Sequence, residues 1–395
     1  MKVLLINSVC GRQSTGRIVS DIKKILKENG HDSRIAYGEK FSIAEPDDYH
    51  IGNEIIRYLH AGYARCFDSV GLGSYYATKK LVNWIREYDP DIIHLHNIHG
   101  YYINIRVMFE YLKESNKKVV WTFHDCWPFT GHCAYFDYVG CEKWKTKCEK
   151  CTQRSEYPSR LLIDRAKRNF ELKKELFTSI NSMTLVTPSK WLSGLLGESF
   201  LKNYPTKVIY NGIDTSTFYP RQEYPALLEK YKDKKIILGV SSVWDRRKGM
   251  NYFVELSKTL NDNYQIVLVG LTKKQINGLP GNIIGIERTE SKEELARLYS
   301  SAFVFLNPTL EDNFPTTNIE ALACGTPVIT FNTGGSGEAI STNTGKIVYK
   351  KEVNEIVQLL SRMKLNREDC AKAGKLFDMR DKYSQYLALY EDLCK

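Results

Sequence analysis

The sequence predicts an α/β protein built as two successive parallel-sheet domains, and three observations predict it. Short apolar, β-branched runs alternate with amphipathic helical stretches along the chain, the pattern of strands joined by crossover helices. The series runs once through the first half and restarts after "YNGID". At 395 residues the chain is also longer than one ordinary domain.

In the first half the strand-like runs are "KVLLIN", "SRIAYG", "DIIHLHN", "KVVWTFHD", "MTLVTPS" and "KVIYNG". The opening "MKVLLIN" has one lysine and a short apolar run, and reads as a first strand, not a signal peptide. A helix-like segment, "IVSDIKKILKENGH", follows and closes on Gly30. In the second half the strands are "KKIILGVSS", "YQIVLVG", "GNIIGIE", "AFVFLNP", "TPVITFN" and "GKIVYK", with "NYFVELSKTLND" and "SKEELARLYSSA" among the intervening helices. We place the boundary between Tyr210 and Tyr219, giving domains 1–209 and 210–378 before a final helix over 379–395. That last segment, "MRDKYSQYLALYEDL", carries an aromatic and leucine stripe at helical spacing, as a core-facing helix does. No sequence repeat accompanies the repeated architecture.

With 43% hydrophobic and 26% charged residues, the composition suits a soluble protein with full cores. No apolar run approaches the ~20 residues that span a bilayer, so a cytoplasmic protein is expected. The net charge of +10 and the basic stretch from Lys143 to Lys174 suit a solvated helix face, a phosphate-bearing substrate or peripheral contact with an anionic membrane. No helix-turn-helix, finger array or RNA-binding signature is present, and no nucleic-acid partner is expected.

Parallel sheets bind ligands beyond the carboxyl ends of their strands, and the chemistry-bearing residues fall there. His124 and Asp125 follow "KVVWTF"; His94, His96 and His99 follow "DIIHL", with His94 and His96 on one side of the strand by alternation. After the first strand, "NSVCGRQSTGR" enters a helix with Ser14 or Thr15 as cap and Gly16 permitting close backbone approach by an anion or acceptor group. It is neither a G-x-G-x-x-G fingerprint nor a P-loop, which argues against a dinucleotide oxidoreductase or a P-loop enzyme. "VSSVWDRRKGM" places Arg246, Arg247 and Lys248 in a turn suited to clamping phosphate. In "TLEDNFPTTNIEALACGTPVI", Asp312 and Glu320 stand eight positions apart, and Thr317-x-x-Glu320 reads as a capping box. Glu320 is thus read as a helix-start residue that can at the same time be a substrate ligand.

Five of the ten cysteines, Cys126, Cys133, Cys141, Cys148 and Cys151, crowd an insertion at about 126–151. Cys148 and Cys151 form a C-x-x-C half-site. With Cys133 and Cys141 they suggest a closed structural zinc site, with His132 as a substitute ligand. Disulfides are disfavoured in a cytoplasmic chain.

Taken together, "DIIHLHN", "WTFHD", "VTPSKWL", "VIYNGIDTSTFYP", "RRKG", "EELARLYSSA", "EDNFPTTNIEALACGTPVI" and "GGSGE" resemble the retaining glycosyltransferases of family 4 over nearly the whole length. The local pattern of "VWDRRKG" with "EDNFP" resembles the branch that builds bacterial capsule, colanic-acid-like and O-antigen polysaccharides. The resemblance implies a GT-B fold, with two Rossmann-like doubly wound domains facing across a cleft and the final helix packing back on the acceptor-side first domain. It implies a nucleotide-sugar donor, UDP- or GDP-linked, held by the second domain, and a saccharide or lipid-linked acceptor. The family motif, two glutamates with seven residues between them, maps onto Asp312, one methylene shorter, and Glu320. Glu320 would then hold the ribose, Lys248 with Arg246 or Arg247 the diphosphate, and Asn313, Phe314, Thr316 and Thr317 the rest of the donor. His124 would touch the donor sugar. No cofactor or metal is implied for the chemistry. A non-hydrolysing sugar-nucleotide epimerase and a non-catalytic binding protein of the same fold are the rival readings.

Overall fold

The computed structural model describes residues 1–364 and 366–395. The chain divides into two compact units, Met1–Tyr210 with Lys382–Lys395, and Asn211–Asp381.

The first unit runs β1 (Lys2–Asn7), α1 (Gln13–Glu28), β2 (Asp32–Tyr37), β3 (Tyr49–His50), α2 (Glu54–Phe67), α3 (Tyr75–Tyr88), β4 (Ile92–Leu95), α4 (Ile105–Ser115), β5 (Lys118–Thr122), α5 (Ala166–Phe177), β6 (Met183–Thr187), α6 (Lys190–Glu198) and β7 (Thr206–Val208). These strands form one parallel sheet in the order β3-β2-β1-β4-β5-β6-β7. The reversal of order beside β1 is the switch point at which such sheets place ligands. Register is explicit there: Leu5 of β1 pairs with Ile35 of β2 and His94 of β4, and His94 in turn with Val120 of β5.

The physical reason for this sheet is plain in β1. Val3, Leu4, Leu5 and Ile6 are all fully buried, so both faces of the strand are covered, as crossover helices require. Each such side chain contributes about 1.5–3 kcal/mol of burial. On α1, Ile18, Val19, Ile22, Ile25 and Leu26 recur at helical spacing and are buried as one face. The expected cap at Ser14 or Thr15 does not form. The helix starts earlier, at Gln13, after Arg12, with no side-chain cap. The short edge strand β3 was not legible in the sequence.

The second unit runs β8 (Lys235–Val240), α7 (Met250–Thr259), β9 (Tyr264–Val269), α8 (Lys273–Asn277), β10 (Ile283–Ile286), α9 (Lys292–Ser301), β11 (Val304–Asn307), α10 (Thr316–Ala323), β12 (Val328–Phe331), β13 (Gly345–Val348), α11 (Val353–Arg362) and α12 (Arg367–Lys375). Its parallel sheet has the order β10-β9-β8-β11-β12-β13, with the reversal at β8. Ile237, Leu268, Leu306, Ile329 and Phe331 fill its core against Phe253 of α7.

The last helix, α13 (Met379–Cys394), buries Tyr383, Tyr386, Leu389 and Tyr390. Within the first unit the Tyr390 hydroxyl meets His94 Nδ1 at 2.5 Å, and the Tyr386 hydroxyl lies 3.1 Å from Thr122 Oγ1. The aromatic stripe therefore satisfies polar strand-end groups as well as filling space. Among the described residues, no helix is long and apolar enough to cross a membrane.

Candidate functional site

In the second unit, the loops after β8 and β11 bring the predicted residues together. Gly249 ends the basic turn at φ +74°, and a Cβ there would lie 2.1 Å from the Pro308 carbonyl oxygen. Glycine alone lets the two loops approach this closely. The Leu310 amide donates to the Arg247 carbonyl at 2.7 Å, and Arg247 Nη1 donates to the Glu311 carbonyl at 2.7 Å. Held in this way, Lys248 forms an ion pair with Asp312. Burial opposes ionisation of Asp312, yet Lys248 and Arg247 together hold its carboxyl below the ordinary value.

Asp312 is braced from behind. The Gly335 amide donates to the Asp312 carbonyl at 3.0 Å, and a Cβ on Gly334, whose φ is +54°, would sit 2.0 Å from that oxygen. The glycines of "GGSGE" therefore set the position of the aspartate backbone. Asn313 is buried, and Phe314 packs against Phe377 with ring centroids 5.6 Å apart. Arg246 lines a cavity of about 660 Å³ with Gly249 and Leu310 of the same two loops and Asn251, Tyr252 and Glu255 of α7. Arg247 is held by the Glu311 carbonyl, and its charge acts on the neighbouring Asp312.

The capping-box reading of Glu320 is corrected. Helix α10 starts at Thr316 after Pro315 and has no side-chain cap. Thr316 and Thr317 are its first two residues, and Glu320 lies inside it. Proline at the cap has no amide to receive a carboxylate. Instead Glu320 is buried and accepts from the Tyr299 hydroxyl at 3.0 Å. A second network holds the same helix to the sheet: Asn318 Oδ1 accepts from Asn307 Nδ2 at 2.8 Å, and Asn318 Nδ2 donates to the Ser336 carbonyl at 2.8 Å. Sequence reasoning missed Tyr299 and Asn318, although both fall within quoted motifs.

In the first unit, β4 and β5 end in a histidine array. His96 Nδ1 lies 3.0 Å from His124 Nε2, with the rings stacked at 14°. One nitrogen must donate and the other accept, so the bond requires complementary tautomers. Burial pushes His124 down to about 4, against the opposing charge of Asp125, and burial also holds His94 and His96 well below the ordinary value. Both His94 nitrogens are engaged, with Thr122 and Tyr390. Asp125 pairs with His99 Nε2 at 2.8 Å and accepts from the Trp127 amide at 2.9 Å. Gly16 is buried, and a Cβ there would lie 3.1 Å from the Val9 carbonyl oxygen. The close approach that its lack of a side chain allows is thus made by the chain's own backbone.

The zinc expectation is not supported. Cys133, Cys141, Cys148 and Cys151 do line one small cavity of about 20 Å³, with His132. Yet among the described residues no group of three or more histidines, cysteines and carboxylates is placed to hold a metal ion. Two of the thiols meet each other. Cys133 and Cys151 hydrogen-bond to each other, which raises the first thiol and lowers the second. The Gly131 amide faces Cys148, and His132 Nδ1 is taken by Asp68 at 2.5 Å.

Comparison with known proteins bears on these two units. A solved sucrose-phosphate synthase from Thermosynechococcus elongatus superimposes with a TM-score of 0.75 at 19% identity, covering 99% of this chain and 98% of that one. HepE from Anabaena, solved in complex with UDP, gives 0.66 at 14% identity, covering 99% and 100%. These likenesses define the fold as GT-B. The family model described as Glycosyltransferase Family 4 matches residues 15–217, and that described as Glycosyl transferases group 1 matches residues 220–376. The chain belongs to glycosyltransferase family 4.

Among its relatives, the putative colanic acid biosynthesis glycosyl transferase WcaC of Escherichia coli is 30% identical over 68% of this chain and 67% of its own length. The N,N'-diacetylbacillosaminyl-diphospho-undecaprenol alpha-1,3-N-acetylgalactosaminyltransferase of Campylobacter jejuni is 25% identical over 47% of this chain, a match that spans about half of that enzyme's length (53%). These relatives favour a sugar-transferring enzyme over the epimerase and non-catalytic readings.

Proposed function

We propose that this chain is a retaining glycosyltransferase that moves a hexose from a UDP- or GDP-linked donor onto a saccharide or lipid-linked acceptor in surface polysaccharide synthesis. The observation that carries the reading is the joint placement of Arg247, Lys248 and Asp312 on two loops of the second unit, with buried Glu320 on the helix that follows. An ammonium has three donors, so Lys248 can keep Asp312 while also meeting a phosphate oxygen. In this reading Lys248 and Arg247 stabilise the diphosphate as negative charge develops on it, aided by the amides at the start of α10. Protein cations then do the work of a metal, and the transfer itself is proposed to need none.

Glu320 holds the ribose hydroxyls, with its geometry set by Tyr299. Asp312 orients the transferred sugar, and Asn313, Phe314, Thr316 and Thr317 complete the donor contacts. His124 is proposed as a sugar-contacting residue and His96 as the group that fixes its tautomer. The acceptor hydroxyl attacks the anomeric carbon on the face from which the diphosphate departs. The C–O bond to the acceptor forms as the C–O bond to phosphate breaks, and the hydroxyl proton passes to the departing diphosphate. UDP in the HepE complex supports a uridine donor by likeness of fold, and the undecaprenol-linked substrate named for the Campylobacter relative supports a lipid-linked acceptor. Incubation with a nucleotide-sugar panel and a polyprenyl-diphosphate saccharide tests the reading. Product with the donor's anomeric configuration by NMR supports it; donor epimerised without acceptor would replace it.

A further inference from the structure

Helix α2 is inside out. Ile55, Tyr58, Leu59, Tyr63 and Phe67 recur at helical spacing, yet they face solvent, with Ile55 and Leu59 71% and 70% exposed. Only His60 and Ala64 of its 14 residues are buried. The helix is anchored by polar contacts: His60 Nδ1 lies 2.9 Å from Ser74 Oγ, and the Gly73 amide donates to His60 Nε2 at 2.9 Å. Its apolar stripe therefore serves no core of this unit.

The stripe continues onto a neighbouring segment. The Leu161 amide donates to the Arg65 carbonyl at 2.8 Å, and the Ile163 amide to the Cys66 carbonyl at 3.3 Å. This docks Leu161, Leu162 and Ile163, all exposed, against the end of α2. Exposed apolar surface on this scale marks an interaction site. Cations edge it: Arg57 sits 4.7 Å from the Tyr58 ring and Arg165 5.5 Å from the Phe67 ring, with Arg65 exposed between them. The nearby carboxylates Glu39 and Glu54 are both paired with Arg57.

We propose that this face of α2 with the 161–163 segment docks on an anionic lipid bilayer, lying in the headgroup–acyl boundary. Tyrosine-rich apolar surface with arginine at its edge fits that boundary from both sides, the rings entering and the guanidinium groups meeting lipid phosphates. A second copy is the poorer occupant: packing this face on itself would set Arg65 and Arg165 against the same cations of the other chain. The +10 net charge favours an anionic partner in the same direction. The surface deepens the proposed reading, since it would hold the enzyme where a lipid-linked acceptor is found, and it rests on that reading for its use.

Flotation of the full chain with vesicles tests it, using 30% phosphatidylglycerol in phosphatidylethanolamine against pure phosphatidylcholine. The expected result is capture by the anionic vesicles, at least tenfold weaker for Leu59→Glu with Tyr63→Glu and at least threefold weaker at 0.5 M salt. Both positions are exposed, and unchanged nucleotide-induced thermal stabilisation checks that the variant folds. Equal capture of variant and parent would overturn the proposal, as would no capture of either. So would a parent dimer that the variant breaks, which assigns the face to a second copy. Because donor stabilisation is read separately, a parent protein that binds its donor but no vesicles sinks only this inference. Vesicle binding without donor binding would sink the catalytic reading instead.

Discussion

The Tyr299 hydroxyl donates to Glu320 Oε2 at 3.0 Å inside the second unit. Burial and the adjacent Glu320 charge both hold this phenol well above its ordinary value, so Tyr299 stays a donor. The bond orients the carboxylate without using it as a helix cap. Tyr299→Phe is expected to leave Glu320 short of a buried partner and cost ~1–3 kcal/mol of stability. Nucleotide affinity should fall in the same variant. Urea unfolding with a nucleotide titration separates the two effects; unchanged affinity would make Tyr299 a packing residue only.

The Lys248–Asp312 pair predicts a non-additive mutant cycle. Lys248→Met and Asp312→Asn should each weaken donor binding, and the double variant should lose less than their sum. A coupling of ~1–3 kcal/mol is expected for groups in direct contact. Because the folded Asp312 carboxyl is held below its unfolded value, its contribution to stability is present above that unfolded value. It is lost as pH falls through the lower, folded one. Strict additivity at neutral pH would argue that the pair is incidental.

Gly334 predicts a backbone route to the site. With φ at +54° and a Cβ only 2.0 Å from the Asp312 carbonyl, Gly334→Ala must displace the loop that braces Asp312. Stability should drop by more than ~1 kcal/mol, the range for alanine at a positive φ. Turnover should fall further than stability does. Wild-type turnover in this variant would remove the brace from the account.

Acid sensitivity follows from the histidines. His60 and His124 are each lowered to about 4 by burial, and His94 and His96 lie well below their ordinary value. Unfolded, these groups take up protons near pH 6.5; folded, they resist until much lower. Their stabilising contribution is therefore full above pH 6.5 and declines as pH falls from 6.5 towards 4. Each adds a slope approaching ~1.4 kcal/mol per pH unit in that window. His96→Asn keeps a polar atom near Nδ1 and should preserve turnover better than His96→Leu. Flat stability between pH 7 and pH 5 would show that the array is solvated.

The alternation of strands and helices was legible because parallel sheets need continuous apolar runs, as β1 shows. The basic turn and Asp312 were legible because strand-end position and charge coincide. Glu320 was placed in the right stretch with the wrong local role. T-x-x-E marks a cap only where the threonine precedes the helix, and here Pro315 takes the cap position and the helix starts at Thr316, one residue before Thr317. The cysteine spacing led to a cavity but not to a metal geometry, because spacing says nothing about where each thiol points. The partner roles of Tyr299 and His96 were hidden for a related reason. Both act on residues far along the chain, and no local pattern announces a hydrogen bond between elements.

Calorimetric titration of the purified chain with UDP, GDP, ADP, CMP and dTDP and their common sugars tests the central claim most directly. Binding with one base is expected. Glu320→Gln should weaken it by ~1–3 kcal/mol, as expected for a lost charge-assisted hydrogen bond, and Lys248→Met should weaken it as well. Binding of no nucleotide, or equal affinity in all three proteins, would contradict the assignment of the donor site to these residues.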